Sequence, residues 1–340
     1  WYVFAQVVLL VWMDESWPLN RIRVERDKFK QLHERLAEAP DRPLVLMLGS
    51  SRSDWAFQAG RLSGQPGPDG RTLLAYNMAV PTTGGMHEAL YLNDLLEEGV
   101  RPRLVLLELV TTHLNQSRRG LLSEEHFTVS RWISAHQLYF LSRYFTNKRR
   151  ALNEWLEGRL MPWYGFRWSV HQHLLGNHSM PQPFDPARRP MDDFGWRLLG
   201  TDPGTKGFRT FRWFSAFKMY GETLRNFRLG AKPAQAMRDV IARCRQEHIP
   251  VALVLMPIAP EFRELFPPPG RAELKNFLAE LRADYGIDVI DATNWVEKKD
   301  FDDGHHVLKE GAYVFTTKLI AEVKKLLVRT SPPEEQPATP

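Results

Sequence analysis

The sequence predicts an α/β fold: a three-layer sandwich on a five-stranded parallel sheet, carrying a large, mainly helical insertion. Three observations predict it. Five short apolar runs lack polar alternation, as strands buried on both faces do. Most are followed by a turn and a helical pattern, the rhythm of parallel strands joined by crossover helices. The composition, 43% hydrophobic and 25% charged over 340 residues, is that of a folded globular chain. It excludes a wholly disordered, collagen-like or polytopic membrane protein.

The strand runs are Leu44–Leu48 (LVLML), Leu73–Asn77 (LLAYN), Leu104–Leu109 (LVLLEL), Val251–Met256 (VALVLM) and Asp288–Ile290 (DVI). Residues 20–38 read as a polar helix leading into the first. A short helix through Trp55 and Phe57 follows that strand, and Met86–Glu98, with Leu90, Leu92, Leu95 and Leu96, follows the second. Pro233–Glu247 precedes the fourth strand with apolar residues at helical spacing. Gly311–Val328 closes the fold, with Phe315, Leu319, Val323, Leu326 and Leu327 on one stripe.

The stretch 116–232 breaks this rhythm. It holds Trp132, Trp155, Trp163, Trp168, Trp196 and Trp213, more than half of the eleven tryptophans, and no strand run. Helices are expected at 129–146 and 149–160, and a Pro/Gly/Asp loop at 180–205. No ordinary crossover needs so many residues, so this is an insertion able to cap the carboxyl edge of the sheet. The fold domain therefore divides into 20–115 and 233–328 around the insertion.

The ends differ in character. Residues 1–13, WYVFAQVVLLVWM, are almost unbroken apolar sequence, closed by Asp14, Glu15 and the pair Trp12 and Trp17. As a helix they reach about 20 Å, short of the ~30 Å bilayer core. The chain opens on Trp rather than Met, and residues 1–19 are expected to be the remnant of a membrane or signal anchor. A buried N-terminal helix is the alternative. Residues 329–340, rich in Pro and polar side chains, are expected to be disordered.

Charge and cysteine content narrow the function classes. Lys and Arg exceed Asp and Glu by 45 to 40, a formal +5 spread along the chain. That is weak support for nucleic acid, and no nucleic-acid partner is expected. The single Cys244 excludes an internal disulfide framework and a Cys-based metal cage, and reads as a buried apolar residue.

Two segments carry candidate chemistry. The first strand runs into Gly49-Ser50-Ser51-Arg52, a small-residue turn at the carboxyl edge of a parallel sheet, where α/β proteins bind ligands. A helix N-terminus there offers N–H groups and a positive dipole end to a developing oxyanion. A serine so placed can act as a nucleophile once a base reaches it; otherwise it is a turn and cap residue. Phe301-Asp302-Asp303-Gly304-His305-His306 opens the last helix. Asp303 and His306, three apart, allow a carboxylate to fold back on an imidazole and fix its tautomer. Loops after the first and last strands open on the same sheet edge.

These blocks resemble the SGNH/GDSL hydrolase superfamily, in the divergent branch that includes membrane-anchored cell-envelope proteins. The resemblance covers 44–115 and 233–328 and implies the flavodoxin-like SGNH fold. It puts the nucleophile at Ser51. The family's second block resembles Tyr76-Asn77-Met78-Ala79-Val80-Pro81-Thr82-Thr83-Gly84-Gly85, which makes Asn77 a site residue and Gly84 a backbone donor to the oxyanion, with Gly85 the alternative register. The last block resembles Asp303-Gly304-His305-His306 with Gly311 beyond it. That offset selects His306 over His305 and Asp303 over Asp302. Met256-Pro257 resembles the end of the branch's fourth strand.

The third block departs from the family: Glu108-Leu109-Val110-Thr111-Thr112-His113-Leu114-Asn115 has no Gly-x-Asn-Asp. Thr111, Thr112 and Asn115 are candidate substitutes, none in register. Loss of such a donor costs about 10²–10³ in rate. The resemblance implies a serine esterase or O-acyltransferase acting on an acyl ester of an extracytoplasmic glycan or envelope polymer. It implies no cofactor and no metal, a bacterial location outside the inner membrane with an N-terminal anchor, and a membrane-bound O-acyltransferase as partner. The alternative is a non-catalytic binding or scaffold module of an envelope polysaccharide assembly, with the aromatic, basic insertion as its contact surface.

Other residues have plainer readings. His171, His173 and His178 form an HxHx4H pattern that without a carboxylate or Cys reads as packed or solvated histidines rather than metal ligands. His87 reads as a helix-surface position or, two residues after Gly85, a site-lining one, and His113, after a strand's carboxyl end, has the same two readings. Trp163, Tyr164, Phe166 and Trp168 fill the insertion's core or stack on a sugar or acyl chain. Lys148-Arg149-Arg150 reads as a solvated helix face, or a contact for anionic lipid or glycan.

Overall fold

The computed structural model describes residues 1, 4, 6, 8, 20–116, 124–128, 133–165, 190–198 and 206–330. A polar helix α1 (Asn20–Glu38) leads into β1 (Leu44–Leu48), the short α2 (Ser51–Ala56), β2 (Leu74–Asn77), α3 (Gly85–Glu97) and β3 (Leu104–Glu108). The insertion contributes α4 (Glu124–Phe127), α5 (Ala135–Leu141), α6 (Lys148–Leu160), α7 (Pro162–Gly165) and α8 (Lys206–Arg225). The second part of the fold runs through α9 (Ala231–Gln246), β4 (Val251–Leu255), α10 (Pro260–Glu264), α11 (Pro268–Tyr285), β5 (Asp288–Asp291) and α12 (Lys309–Arg329).

The strands form one all-parallel sheet in the order β2-β1-β3-β4-β5. Each expected strand lies within two residues of its observed one. Alternation of side chains across the pleat divides the core in two. Leu44, Leu46 and Leu48 face a cluster with Leu32 of α1, Leu92 of α3, Ile241 of α9 and Phe277 of α11. Val45 and Met47 face the other, with Phe57, Phe315, Leu319 and Val323. Two apolar layers on one buried sheet make the three-layer sandwich.

Two long helices, α8 and α11, carry no clear signal in the sequence. The segment heading α11 holds Pro267, Pro268, Pro269 and Gly270 and reads as loop, yet proline is compatible with a first helical turn whose N–H groups lack acceptors anyway. Gly286 ends the helix in the left-handed region at φ 66°. In the insertion, Ser134 and Gln137 form a reciprocal capping box that starts α5 at Ala135, later than the 129–146 pattern suggests.

Among the described residues no helix is long and apolar enough to cross a membrane. Most of the apolar run 1–13 lies outside them, as do residues 331–340 of the tail.

Candidate active site

The chain leaves β1 for β2 on one side and later crosses to β3 on the other, so the loops after β1 and β3 diverge. The gap between these adjacent strands is the topological switch point where open α/β sheets bind ligands. Ser51 opens α2 directly above it.

The turn is built for that placement. Ser50 is the N-cap of α2 in extended conformation, and its hydroxyl accepts from the Arg52 N–H at 3.2 Å. Glu108, fully buried at the end of β3, accepts from Ser50 N (2.8 Å), Ser50 Oγ (2.9 Å), Ser53 N (3.3 Å) and Ser53 Oγ. One carboxylate thus holds the residues on both sides of Ser51. A side chain at Gly49 has no room, since a Cβ there would meet Ser53 Oγ at 2.1 Å and Glu108 Oε2 at 2.6 Å. Arg52 clamps the turn to the end of β4, donating to the carbonyls of Met256 (3.0 Å) and Pro257 (2.9 Å).

Ser51, His306 and Asp303 come together. Ser51 Oγ lies 2.8 Å from His306 Nε2, and His306 Nδ1 lies 2.8 Å from Asp303 Oδ2. Asp303 Oδ1 accepts from the backbone N–H of His306 at 2.9 Å and of His305 at 3.2 Å, which fixes the carboxylate before the imidazole meets it. The Trp55 ring lies 4.2 Å from the His306 ring, centroid to centroid, and closes one side. Burial alone would raise the Asp303 carboxyl, but the facing His305 and His306 rings and the hydrogen bonds from His306 hold it well below the usual carboxylate range. The group beside His306 Nδ1 is therefore an anion, which sets the proton on Nδ1 and leaves the Nε2 lone pair for Ser51.

His305 sits behind the triad, buried between Tyr220 (4.3 Å between ring centroids) and His306 (4.0 Å). Burial pushes its pKa well below the normal value, against the pull of Asp303. Asp302 is bound by Arg212 of α8, and Arg209 donates to the Phe301 carbonyl at 2.6 Å. Helix α8 of the insertion therefore braces the loop that carries Asp303 and His306.

The second-block residues lie elsewhere than the resemblance implies. Gly84 N donates to Glu124 Oε1 at 2.8 Å instead of facing an open site. Glu124 also accepts from Met86 N and His87 N (2.9 Å each) and meets His87 Nδ1 at 2.6 Å, so one buried carboxylate covers the N-terminus of α3. Burial acts against its charge, but the His87 hydrogen bond, the His87 and His113 charges and the Met86 N–H bring it down to about 2. Gly85 packs against Ala236 and Met237 of α9. Asn77 is wholly buried, donating to the carbonyls of Ser53 and Phe57 (2.9 Å each) and accepting from Ala79 N (3.1 Å). It ties the end of β2 to the loop after α2 and does not reach the triad.

His87, expected on a helix surface, is buried because it partners Glu124. His113 is buried against Gly84, and burial lowers its pKa. Glu88 is wholly buried; desolvation and the nearby Glu124 and Glu108 raise its carboxyl well above the normal value, so it is protonated. Thr111 and Thr112 follow β3 and line a cavity with Arg52 and His305. Asn115 is spent on structure, donating to the Thr223 carbonyl (3.0 Å) and accepting from Arg228 N (3.0 Å). The Cys244 thiol is buried and pushed up to about 12.

Trp163, Tyr164 and the Lys148-Arg149-Arg150 run are exposed on α6 and α7. His171, His173, His178, Phe166 and Trp168 lie outside the described residues. Glu108 and Glu124 are not among the candidates that the sequence motifs mark. A glutamate within LVLLEL is a signal for Glu108, because a charge in a doubly buried strand must serve a partner. Nothing in the local sequence points to Glu124.

Glu124→Ala is expected to leave three backbone donors and His87 without their acceptor. Stability should fall by about 1–3 kcal/mol in chemical denaturation, the cost of unsatisfied buried polar groups. The Ser51–His306–Asp303 contacts do not involve Glu124 and are expected to persist.

No family model matches the chain, and no curated protein matches it. Among solved structures, a Bacteroides fragilis protein assigned as an acylhydrolase superposes with a TM-score of 0.41 at 11% identity, covering 88% of this chain and 96% of its own. The inhibitor-bound aryl esterase of M. smegmatis superposes with a TM-score of 0.36 at 12% identity, covering 84% of this chain and 99% of its own.

Proposed function

We propose that the protein is a serine hydrolase of the SGNH type that cleaves or transfers an acyl ester through an acyl-enzyme on Ser51. The observation that carries this reading is the continuous chain Ser51 Oγ–His306 Nε2–Asp303 Oδ2, with both links at 2.8 Å. It brings together residues 255 apart in sequence at the sheet's switch point.

In the proposed reaction His306 Nε2 takes the Ser51 proton as Oγ attacks the ester carbonyl. His306 then returns that proton to the leaving alcohol as the tetrahedral intermediate collapses. Asp303 keeps the imidazole in the accepting tautomer and stabilises the imidazolium. The Ser51 N–H, in the first turn of α2 where no intrahelical carbonyl reaches it, is the oxyanion donor at hand. Gly84 joins it only if Glu124 moves off its N–H. Water completes the cycle in an esterase, and a second hydroxyl does so in a transferase.

The extracytoplasmic glycan ester, the anchored envelope location and the membrane-bound O-acyltransferase partner are the finer parts of this proposal. Their support is the resemblance of the sequence blocks and the apolar residues 1–13. The second reading, a non-catalytic binding module, is favoured by one observation: Glu124 seated on Gly84 N–H.

Intact-mass labelling with a fluorophosphonate decides between them. The expected result is one adduct on the wild-type chain and none on Ser51→Ala. A folded wild-type protein that takes no adduct, or a Ser51→Ala variant that still takes one, refutes the nucleophile assignment.

A further inference from the structure

Helix α11 presents Arg271, Leu274, Lys275, Leu278 and Arg282 at spacings of three and four, on one face. Across from it stand Leu255 of β4 and Val289 of β5. Between them lies a cavity of about 420 Å³. Protein interiors close-pack and leave few voids larger than a water, and this volume falls within the range of small-molecule sites.

The lining has a consistent chemistry. Its body is aliphatic and aromatic, including Leu255, Phe262, Phe266, Leu274, Leu278 and Val289. One part of the wall is Arg52, Thr111, Thr112 and His305, and Arg52 and His305 are the chain neighbours of Ser51 and His306. Arg263, Arg271, Lys275 and Arg282 also line it, against a single acid, Asp291. None of these four cations forms an ion pair with a described residue. From Arg271 to Arg282 the helix advances about 16 Å.

An uncharged apolar ligand would make no use of the cations at the cavity wall, of which Arg271, Lys275 and Arg282 are exposed and Arg263 half-buried. A sugar phosphate or nucleic acid would leave the aliphatic body unexplained. We propose that the cavity binds a single-chain anionic amphiphile of the fatty-acid class. Its hydrocarbon chain lies between α11 and the β4–β5 edge, and its acid group sits on the cations of the α11 face. The assignment rests on the cavity and not on acylation of Ser51.

The test uses the full-length Ser51→Ala protein, titrated calorimetrically with dodecanoate, with butyrate (same acid group, no chain) and with dodecyl maltoside (same chain, no charge). The expected result is saturable micromolar binding of dodecanoate only. Arg271→Glu with Lys275→Glu, both on the surface of α11, should weaken it roughly tenfold or more, as loss of charge-assisted contacts does. Leu274→Trp, at a half-buried position on the cavity wall, should abolish it by filling the cavity. Absence of dodecanoate binding, equal binding of dodecyl maltoside, or binding unchanged in both variants overturns the proposal.

The wild-type protein then separates two sources of the same chemistry. Competitive inhibition of butyrate-ester turnover by dodecanoate assigns the chain to the ester substrate. Turnover indifferent to dodecanoate assigns the site to a separate amphiphile. If wild-type protein takes no fluorophosphonate while Ser51→Ala still binds dodecanoate, the hydrolase reading fails and this one stands.

Discussion

Asp303→Asn is expected to slow fluorophosphonate labelling of Ser51 by about 10⁴, the scale on which a serine triad responds to loss of its carboxylate charge. The asparagine keeps an oxygen for the backbone N–H groups of His305 and His306, which Asp303 Oδ1 now accepts at 3.2 and 2.9 Å. Its amide nitrogen then stands where Oδ2 meets His306 Nδ1. An N–H there donates to Nδ1 and drives the ring proton to Nε2, the atom that must accept from Ser51. The loop geometry survives while the tautomer is wrong, so the rate should collapse with little change in melting temperature. Because the probe reports the serine directly, the measurement needs no knowledge of the substrate. A variant labelled within tenfold of wild type would mean that Asp303 only anchors the loop.

Why the triad could be read from sequence and its surroundings could not is a matter of range. The five strands announce themselves because a parallel strand buried on both faces is a continuous apolar run; LVLML at Leu44–Leu48 is one. Asp303 and His306 are three residues apart, and Ser51 follows a strand, so each half of the site carries a local signature. The carboxylates that build the rest act across 37 to 58 residues: Glu108 on Ser50 and Ser53, and Glu124 on Gly84, Met86 and His87. No periodicity marks such contacts. Gly84 shows the consequence. Its position after β2 is where the resemblance puts an oxyanion donor, yet the direction of its N–H is set by a helix from the insertion, whose place no motif records. The α11 face is a similar case. Its Pro-rich start hides the helix, and only the fold reveals that Arg271, Leu274, Lys275, Leu278 and Arg282 share a cavity.

The largest stability effect is expected from Asp54→Asn, three residues beyond Ser51 in the same short helix. Asp54 is wholly buried and faces two buried cations. Lys28 Nζ of α1 lies 2.6 Å from Oδ1, and Arg197 Nε lies 2.9 Å from Oδ2. Lys28 also donates to the carbonyls of Asn77 (2.9 Å) and Ala79 (2.5 Å), so this cluster joins α1, α2, the end of β2 and the 190–198 segment. Taking one charge from a buried network leaves the others uncompensated, at about 3–5 kcal/mol. For a chain of this size that should lower the melting temperature by on the order of 10 °C. Lys28→Met should cost less, since Arg197 still partners Asp54 and the methionine fills the space of the lysine stem. The lysine has a pH signature that the variant must lose. Burial, with help from Arg197 and against the pull of Asp54, lowers its pKa from 10.5 to about 8. Between about pH 8 and 10.5 the unfolded chain holds a proton that the folded chain has released, so this group's contribution to stability rises with pH across that window. Below pH 8 both states are charged and the full cost of the buried ammonium is present. Denaturation of wild type at pH 7.5 and 9.5, beside Lys28→Met, should therefore show a more favourable pH increment in the wild type. An increment equal in the two proteins would place the Lys28 pKa near its ordinary value and remove the desolvation argument.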